Sequence, residues 1–140
     1  MRADRPDSPH PSRHPIGLVA EEITREIIGA FFEVRKDLKP GYLESVYRNS
    51  LEIAIRDRGL RVEREVGLDV RFRGQVVGTF RADLLVQDTV IVEAKMAERL
   101  HPAHIAQITN YLRTTGLQVG LLLNFGPYSE YKRVVWTSPR

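Results

Sequence analysis

Two short runs near the middle of the chain, Leu84-Leu85-Val86 and Val90-Ile91-Val92, are apolar at every position and are separated by Gln87-Asp88-Thr89. Apolar residues on both faces mark a strand covered from both sides, as in a sheet held between helix layers. The short spacing predicts a hairpin turning at Asp88. That register sets Val86 opposite Val90, Leu85 opposite Ile91 and Asp83 opposite Glu93. Directly opposed side chains share a face, with Cβ atoms roughly 4.5–5.5 Å apart. Two carboxylates so placed repel each other unless positive charge sits between them. A divalent cation meets that need, and hard oxygen donors select Mg²⁺, Ca²⁺ or Mn²⁺. Lys95 follows Glu93 by two residues, so the period of a strand returns it to the same face. A slip of one residue in the register would separate the two acids. On an open sheet the same charges would be a solvated face; at the end of a doubly covered strand they line a pocket.

The rest of the chain supplies the covering layers. Apolar residues at positions 19, 23, 27, 30, 31, 34 and 38 follow helical spacing from Ile16 onward, and Lys39-Pro40-Gly41 stops the helix. A second helix is expected from Leu43 to Arg58, with Val46, Tyr47, Leu51, Ile53, Ala54 and Ile55 as its apolar positions and Gly59 as its cap. The period then becomes two, through residues 61–66 and 68–72, a turn at Arg73-Gly74, and strands over 76–86 and 90–95. A third helix is expected from Pro102 to Thr115, closed by Gly116, then a buried strand over 119–125 and a last strand over 131–136. The order is α, α, several β, α, β, β, with no internal repeat.

At 140 residues, 42% hydrophobic and 28% charged, the composition is that of one globular domain large enough for a core without staples. Residues 1–15 contain four of the eight prolines and few large apolar groups, so they are expected to be a flexible leader before a single domain over 16–140. His10 and His14 fall in that leader, where an ordinary tail is the simpler reading than a metal site. The absence of cysteine excludes disulfides, thiolate metal sites and a cysteine nucleophile, and suits a reducing compartment. No run nears the 18 or so apolar residues that span a bilayer, and the N-terminus has no apolar signal core. A cytoplasmic protein with no membrane partner is expected. The net charge is only +3, yet 17 of the 21 cations are arginine. Arginine's planar fork suits phosphate, although codon bias gives the same excess.

The third helix places His104, Gln107 and Tyr111 on one face at spacings of three and four, beside an apolar face of Ile105, Ile108 and Leu112. Such a polar stripe suits a substrate-facing edge or an ordinary solvent-facing one. Glu44 stands in the first turn of the second helix, where the helix dipole favours a carboxylate. By itself that is a capping position. Tyr42, Tyr128, Tyr131 and Trp136 are aromatics that could stack bases, with core packing or an oligomer contact the expectation for most of them.

Gly41-Tyr42-Leu43-Glu44-Ser45-Val46-Tyr47 resembles the signature of the GxxExxY proteins, within the PD-(D/E)XK nuclease superfamily. The likeness runs from Glu21 to Val135 and takes in Arg81-Ala82-Asp83, Glu93-Ala94-Lys95, and Gln107 with Tyr111, which is similar to the Gln-x-x-x-Tyr motif of RecB-type nucleases. Leu121 to Gly126 is similar to the family's closing strand. Arg35 stands where relatives often have His, and Lys39 where they often have Gly. The resemblance implies an α/β fold of restriction-endonuclease-like PD-(D/E)XK type, a mixed central β-sheet flanked by helices. It implies that Asp83 and Glu93, with the Ala94 carbonyl and Glu44, hold Mg²⁺ or Mn²⁺. Lys95 would orient or activate the attacking water, and Gln107 and Tyr111 would support Lys95 or contact the substrate backbone beside His104. The implied activity is metal-dependent hydrolysis of phosphodiester bonds, with DNA the expected nucleic acid and RNA or a nucleotide a weaker choice. A homodimer or a partner protein would serve cleavage of both strands. The alternative is a catalytically silent nucleic-acid-binding or protein-interaction module on the same fold.

Overall fold

A computed structural model describes residues 16–138 of the chain. The expected leader, with His10 and His14, lies outside the described residues. The elements are α1 (Ile16–Leu38), α2 (Glu44–Asp57), β1 (Val62–Phe72), β2 (Gln75–Val86), β3 (Val90–Lys95), α3 (Pro102–Thr115), β4 (Val119–Asn124) and β5 (Glu130–Val135). Three loop glycines at helix ends do what their lack of a Cβ permits, among them Gly59, which follows the α2 C-cap Arg58 at φ +85°. Gly41 adopts φ +130° ahead of α2, and Gly116 closes α3 in the left-handed region at φ +79°. Gly67 does not interrupt β1, which runs unbroken where two shorter segments were expected.

The sheet has the order β1-β2-β3-β4-β5, with β3 and β4 parallel and all other neighbours antiparallel. It is the mixed central sheet that the resemblance implies. One face packs on α1 and α2 through Leu84, Val86, Val90, Val92, Leu121 and Leu123, against Ile27, Phe31, Leu51 and Ile55. The other face packs on α3, where Ile91 and Leu122 meet Ile108, Tyr111 and Leu112. Strands β3 and β4 are therefore buried on both sides, as their all-apolar runs require. Ile53 is the exception on α2. It lies on the outer side of the helix and is 62% exposed.

The hairpin turns at Gln87 and Asp88, both at positive φ, and pairs Val86 with Val90, Leu85 with Ile91 and Leu84 with Val92. There the ladder stops, so Asp83 and Glu93 are not a fourth rung. At the same level β1 and β2 exchange faces. Val62, Leu84 and Val86 pack toward α1 and α2, whereas Leu68 and Ala82, of the same parity, pack toward α3. The exchange passes through Glu65, a non-glycine residue held at φ +52° inside a strand, a backbone state that costs on the order of 1–3 kcal/mol. Beyond it the two strands pair only with each other and carry exposed Phe72, Val76, Val77 and Phe80.

The far end of β4 is tied to the segment after β3. The buried Asn124 side chain accepts from the Ala97 and Gly126 N–H groups at 3.0 and 3.1 Å and donates to the Ala97 carbonyl at 2.9 Å. Arg35 of α1 donates to the Gly126 carbonyl at 2.6 Å, so the residue that departs from the usual His is a strut between layers. A Cβ at Gly126 would fall 2.0 Å from the Ala97 carbonyl oxygen, and one at Gly67 would meet nothing within 4 Å. Gly126→Ala should therefore cost about 2–3 kcal/mol in urea unfolding, while Gly67→Ala stays within about 0.5 kcal/mol of the parent.

Candidate active site

The segment before α2 is fastened by Tyr47. Its ring is fully buried and stacks on Phe125 at 4.9 Å between centroids and 18° between planes. Its hydroxyl donates to the Lys39 carbonyl and accepts from the Tyr42 N–H at 3.1 Å. One side chain thus pins both ends of the turn that Gly41 makes possible. The turn delivers the chain into α2 with Glu44 in the first helical position, after an N-cap, Leu43, that offers no side-chain bond. The spacing Gly41, Glu44, Tyr47 is explained by this: a glycine to turn, an acid to present and a tyrosine to lock.

Asp83 and Glu93 replace the rung that the β2–β3 ladder lacks. Asp83 Oδ2 accepts from the Ala94 N–H at 2.8 Å, and Glu93 Oε2 accepts from the Asp83 N–H at 2.8 Å. Each acid therefore satisfies a backbone donor on or beside the opposite strand, which fixes both carboxylates at the opening. Glu93 is only 4% exposed. Burial, reinforced by the Asp83 charge, pushes its pKa up from 4.5 to about 7. Burial also raises Asp83, partly offset by its bond to Ala94 and by the Arg48 and Lys95 charges. Glu44 is raised by burial first and by Asp83 next, with Lys95 and Arg48 opposing. Three carboxylates thus share one electrostatic neighbourhood between two cations.

Lys95 reaches Glu93 Oε1 at 3.7 Å and donates to Gln107 Oε1 at 3.0 Å. The stripe on α3 faces this cluster. Tyr111 feels Glu93 and Asp83, and burial plus their charges lift its phenol to about 12. His104 is lowered by burial, then by Lys95 and His101. It is also a capping residue: its Nδ1 accepts from the His101 N–H at 3.0 Å, while His101 Nδ1 accepts from the Ala103 N–H at 3.1 Å. The structure thus gathers Glu44, Asp83, Glu93, Lys95, Gln107, Tyr111 and His104 around one opening. The Ala94 side chain points into the α1/α2 core, and its N–H serves Asp83. Tyr42, Tyr128 and Tyr131 are 53%, 58% and 46% exposed and so are not core residues, which leaves an oligomer contact or base stacking as their expected role, whereas Trp136 packs on the α3-side core.

Two residues of this neighbourhood were missed from the sequence. Arg48 lies one helical turn beyond Glu44, and that i, i+4 spacing was the available signal. Glu65, at 3.9 Å from Arg48 and 3.6 Å from Arg81, gave none, because its place depends on a left-handed backbone inside a strand. A hollow between α1 and α2 is lined by Val34, Leu38, Ala54 and Arg58 with the surface acids Glu33, Asp37 and Asp57, and by none of Glu44, Asp83 and Glu93.

A family model described as the PD-(D/E)XK nuclease superfamily matches residues 21–134. The chain belongs to this superfamily. Among solved structures it is similar to the crystal structure of SSO0001, at TM-score 0.55 and 19% identity, over 68% of this chain and 50% of that one. It is also similar to an alkaline exonuclease from Laribacter hongkongensis, at TM-score 0.50 and 17% identity, over 65% of this chain and 55% of that one. The nuclease-superfamily chain described here thus spans about half the length of each. No curated protein matches it.

Superfamily members generally use divalent metals. The donor chemistry here fits such an ion: an all-oxygen set whose pKa values are raised first by burial, with Asp83 raising Glu44 and Glu93 further. Among the described residues, however, no three His, Asp or Glu side chains already converge on one ion. One oxygen each of Asp83 and Glu93 is held by a backbone N–H, so the acids stand apart as placed. No helix of the described residues is long and apolar enough to cross a membrane.

The raised Glu93 pKa makes stability depend on pH. The folded chain holds that proton more tightly than the unfolded one, so its contribution is complete below pH 4.5 and lost as pH rises through about 7. The loss amounts to roughly 3 kcal/mol. In the metal-free protein Glu93→Gln should match the parent at pH 4 and exceed its stability at pH 8, as read by urea unfolding in EDTA.

Proposed function

We propose that this chain is a nuclease that hydrolyses phosphodiester bonds with Mg²⁺ or Mn²⁺, most readily in DNA. The observation that supports this best is the pair of acids at the opening of β2 and β3, Glu93 accepting from the Asp83 N–H and Asp83 from the Ala94 N–H, with Lys95 beside them. Asp83…Glu93-Ala94-Lys95 is the order of residue types in the superfamily's own name. In this reading Asp83, Glu93 and Glu44, with the Ala94 carbonyl, hold the ion. When bound, the ion supplies positive charge to the phosphoryl oxygens and makes water a nucleophile near neutral pH. The closer likeness to the GxxExxY proteins and to the RecB-type Gln-x-x-x-Tyr motif belongs to the same proposal.

The chain's own groups then have distinct tasks. Lys95, steadied by Gln107, orients the attacking water and opposes charge gathering at phosphorus. Tyr111, with its phenol near 12, keeps its proton at neutral pH and serves as a donor. His104 accepts through Nδ1 from the His101 N–H, so in its neutral form the proton lies on Nε2 and is offered to the substrate backbone. Positioning and charge supply most of the rate. A homodimer or partner protein for duplex cleavage, and a cytoplasmic setting, complete the proposal.

The test is cleavage of single-stranded DNA, duplex DNA and RNA with Mg²⁺ or Mn²⁺. Asp83→Ala and Lys95→Ala should each lower the rate by about 100-fold or more. Nucleic-acid binding without cleavage, unchanged in Asp83→Ala, would instead identify a binding module.

A further inference from the structure

The carboxylates of the site lie between two cations, and only one of them is fully engaged. Lys95 has a hydrogen bond to Gln107 at 3.0 Å and an ion contact to Glu93 at 3.7 Å. Arg48 projects from α2 one turn after Glu44, and its charge acts on both Glu44 and Asp83. Its one ion pair among the described residues is a long one, 3.9 Å from Nη2 to Glu65 Oε2. Glu65 is itself shared with Arg81 at 3.6 Å. The Arg48 Nε is buried with no hydrogen-bond partner, the only such side-chain atom among the described residues. A buried guanidinium N–H left unmade is costly, and such groups in folded chains call for an explanation.

Guanidinium presents its donors as a planar fork that fits two oxygens of one anionic group. The carboxylate nearest to hand does not fill that fork, since Glu65 is held off at 3.9 Å.

We propose that Arg48 is a phosphate-binding residue of this site, taking a non-bridging oxygen of the substrate strand from the α2 side while Lys95 faces it from β3. The proposal rests on the nuclease reading and adds to it a contact outside the acid–lysine set. Glu65, shared with Arg81, is the ion partner of the guanidinium when no strand is bound.

The experiment is fluorescence anisotropy of a labelled 20-mer DNA strand, with Ca²⁺ replacing Mg²⁺, over a series of salt concentrations. Arg48→Met keeps the length of the stem and removes the fork. It should weaken binding about 10-fold and lower the slope of log K against log salt by about 0.7–0.9, the loss of one phosphate contact. Arg48→Lys should keep the slope and regain some of the affinity, which also guards against loss of folding, checked by circular dichroism. An arginine that merely neutralises Glu44 and Asp83 predicts otherwise: Ca²⁺ binding tightens in Arg48→Met while the salt slope does not move. That result, with wild-type protein still binding and cutting DNA, overturns the role of Arg48 alone. Wild-type protein that binds no strand overturns it together with the nuclease reading.

Discussion

Two carboxylates stand in for a rung of the β2–β3 ladder. Where the main-chain pairing ends at Leu84 and Val92, Glu93 receives the Asp83 N–H and Asp83 receives the Ala94 N–H. The bonds satisfy buried backbone donors, which a covered sheet requires. They also hold two acids at the mouth of a strand pair, one of them almost fully buried. Ionised carboxylates in such a place are costly unless positive charge compensates them. Lys95 and Arg48 supply some of that charge, and the residual strain is evident as three acids pushed toward their protonated forms.

The surrounding architecture serves this arrangement. Tyr47, locked on Phe125, sets the angle at which α2 begins and so where Glu44 is presented. The α3 helix, capped by two histidines, lays Gln107 and Tyr111 along the other wall. Asn124 and Gly126 brace the strand that follows, so the segment after Lys95 leaves the sheet without disturbing it. Each support is a hydrogen bond or a ring contact made by a residue outside the acid set.

The sheet core was legible because period and apolarity determine it. The runs Leu84–Val86 and Val90–Val92 have the apolarity of doubly covered strands, and the helical spacing of Ile23, Ile27, Phe31 and Val34 follows from one buried face. The acids were legible by register arithmetic up to the last step. Counting from Asp88 pairs Asp83 with Glu93, but the ladder ends a rung before them, and the two meet through side-chain-to-backbone bonds instead. What could not be read is what depends on backbone conformation rather than residue type. The left-handed φ of Glu65, and with it the exchange of faces in the hairpin, leaves no periodic trace. The capping of α3 by His101 and His104 was likewise hidden, since histidine is an uncommon cap.

The burial of Glu93 beside Asp83, and the relief by a cation that the proposed function requires, is measured most directly by following the Glu93 carboxyl carbon by NMR through a pH titration. Without metal its midpoint should stand near 7, and saturating Mg²⁺ should carry it down past the ordinary carboxylate value of 4.5. A midpoint near 4.5 without metal, or one that Mg²⁺ leaves in place, would contradict a shared acid site at this opening.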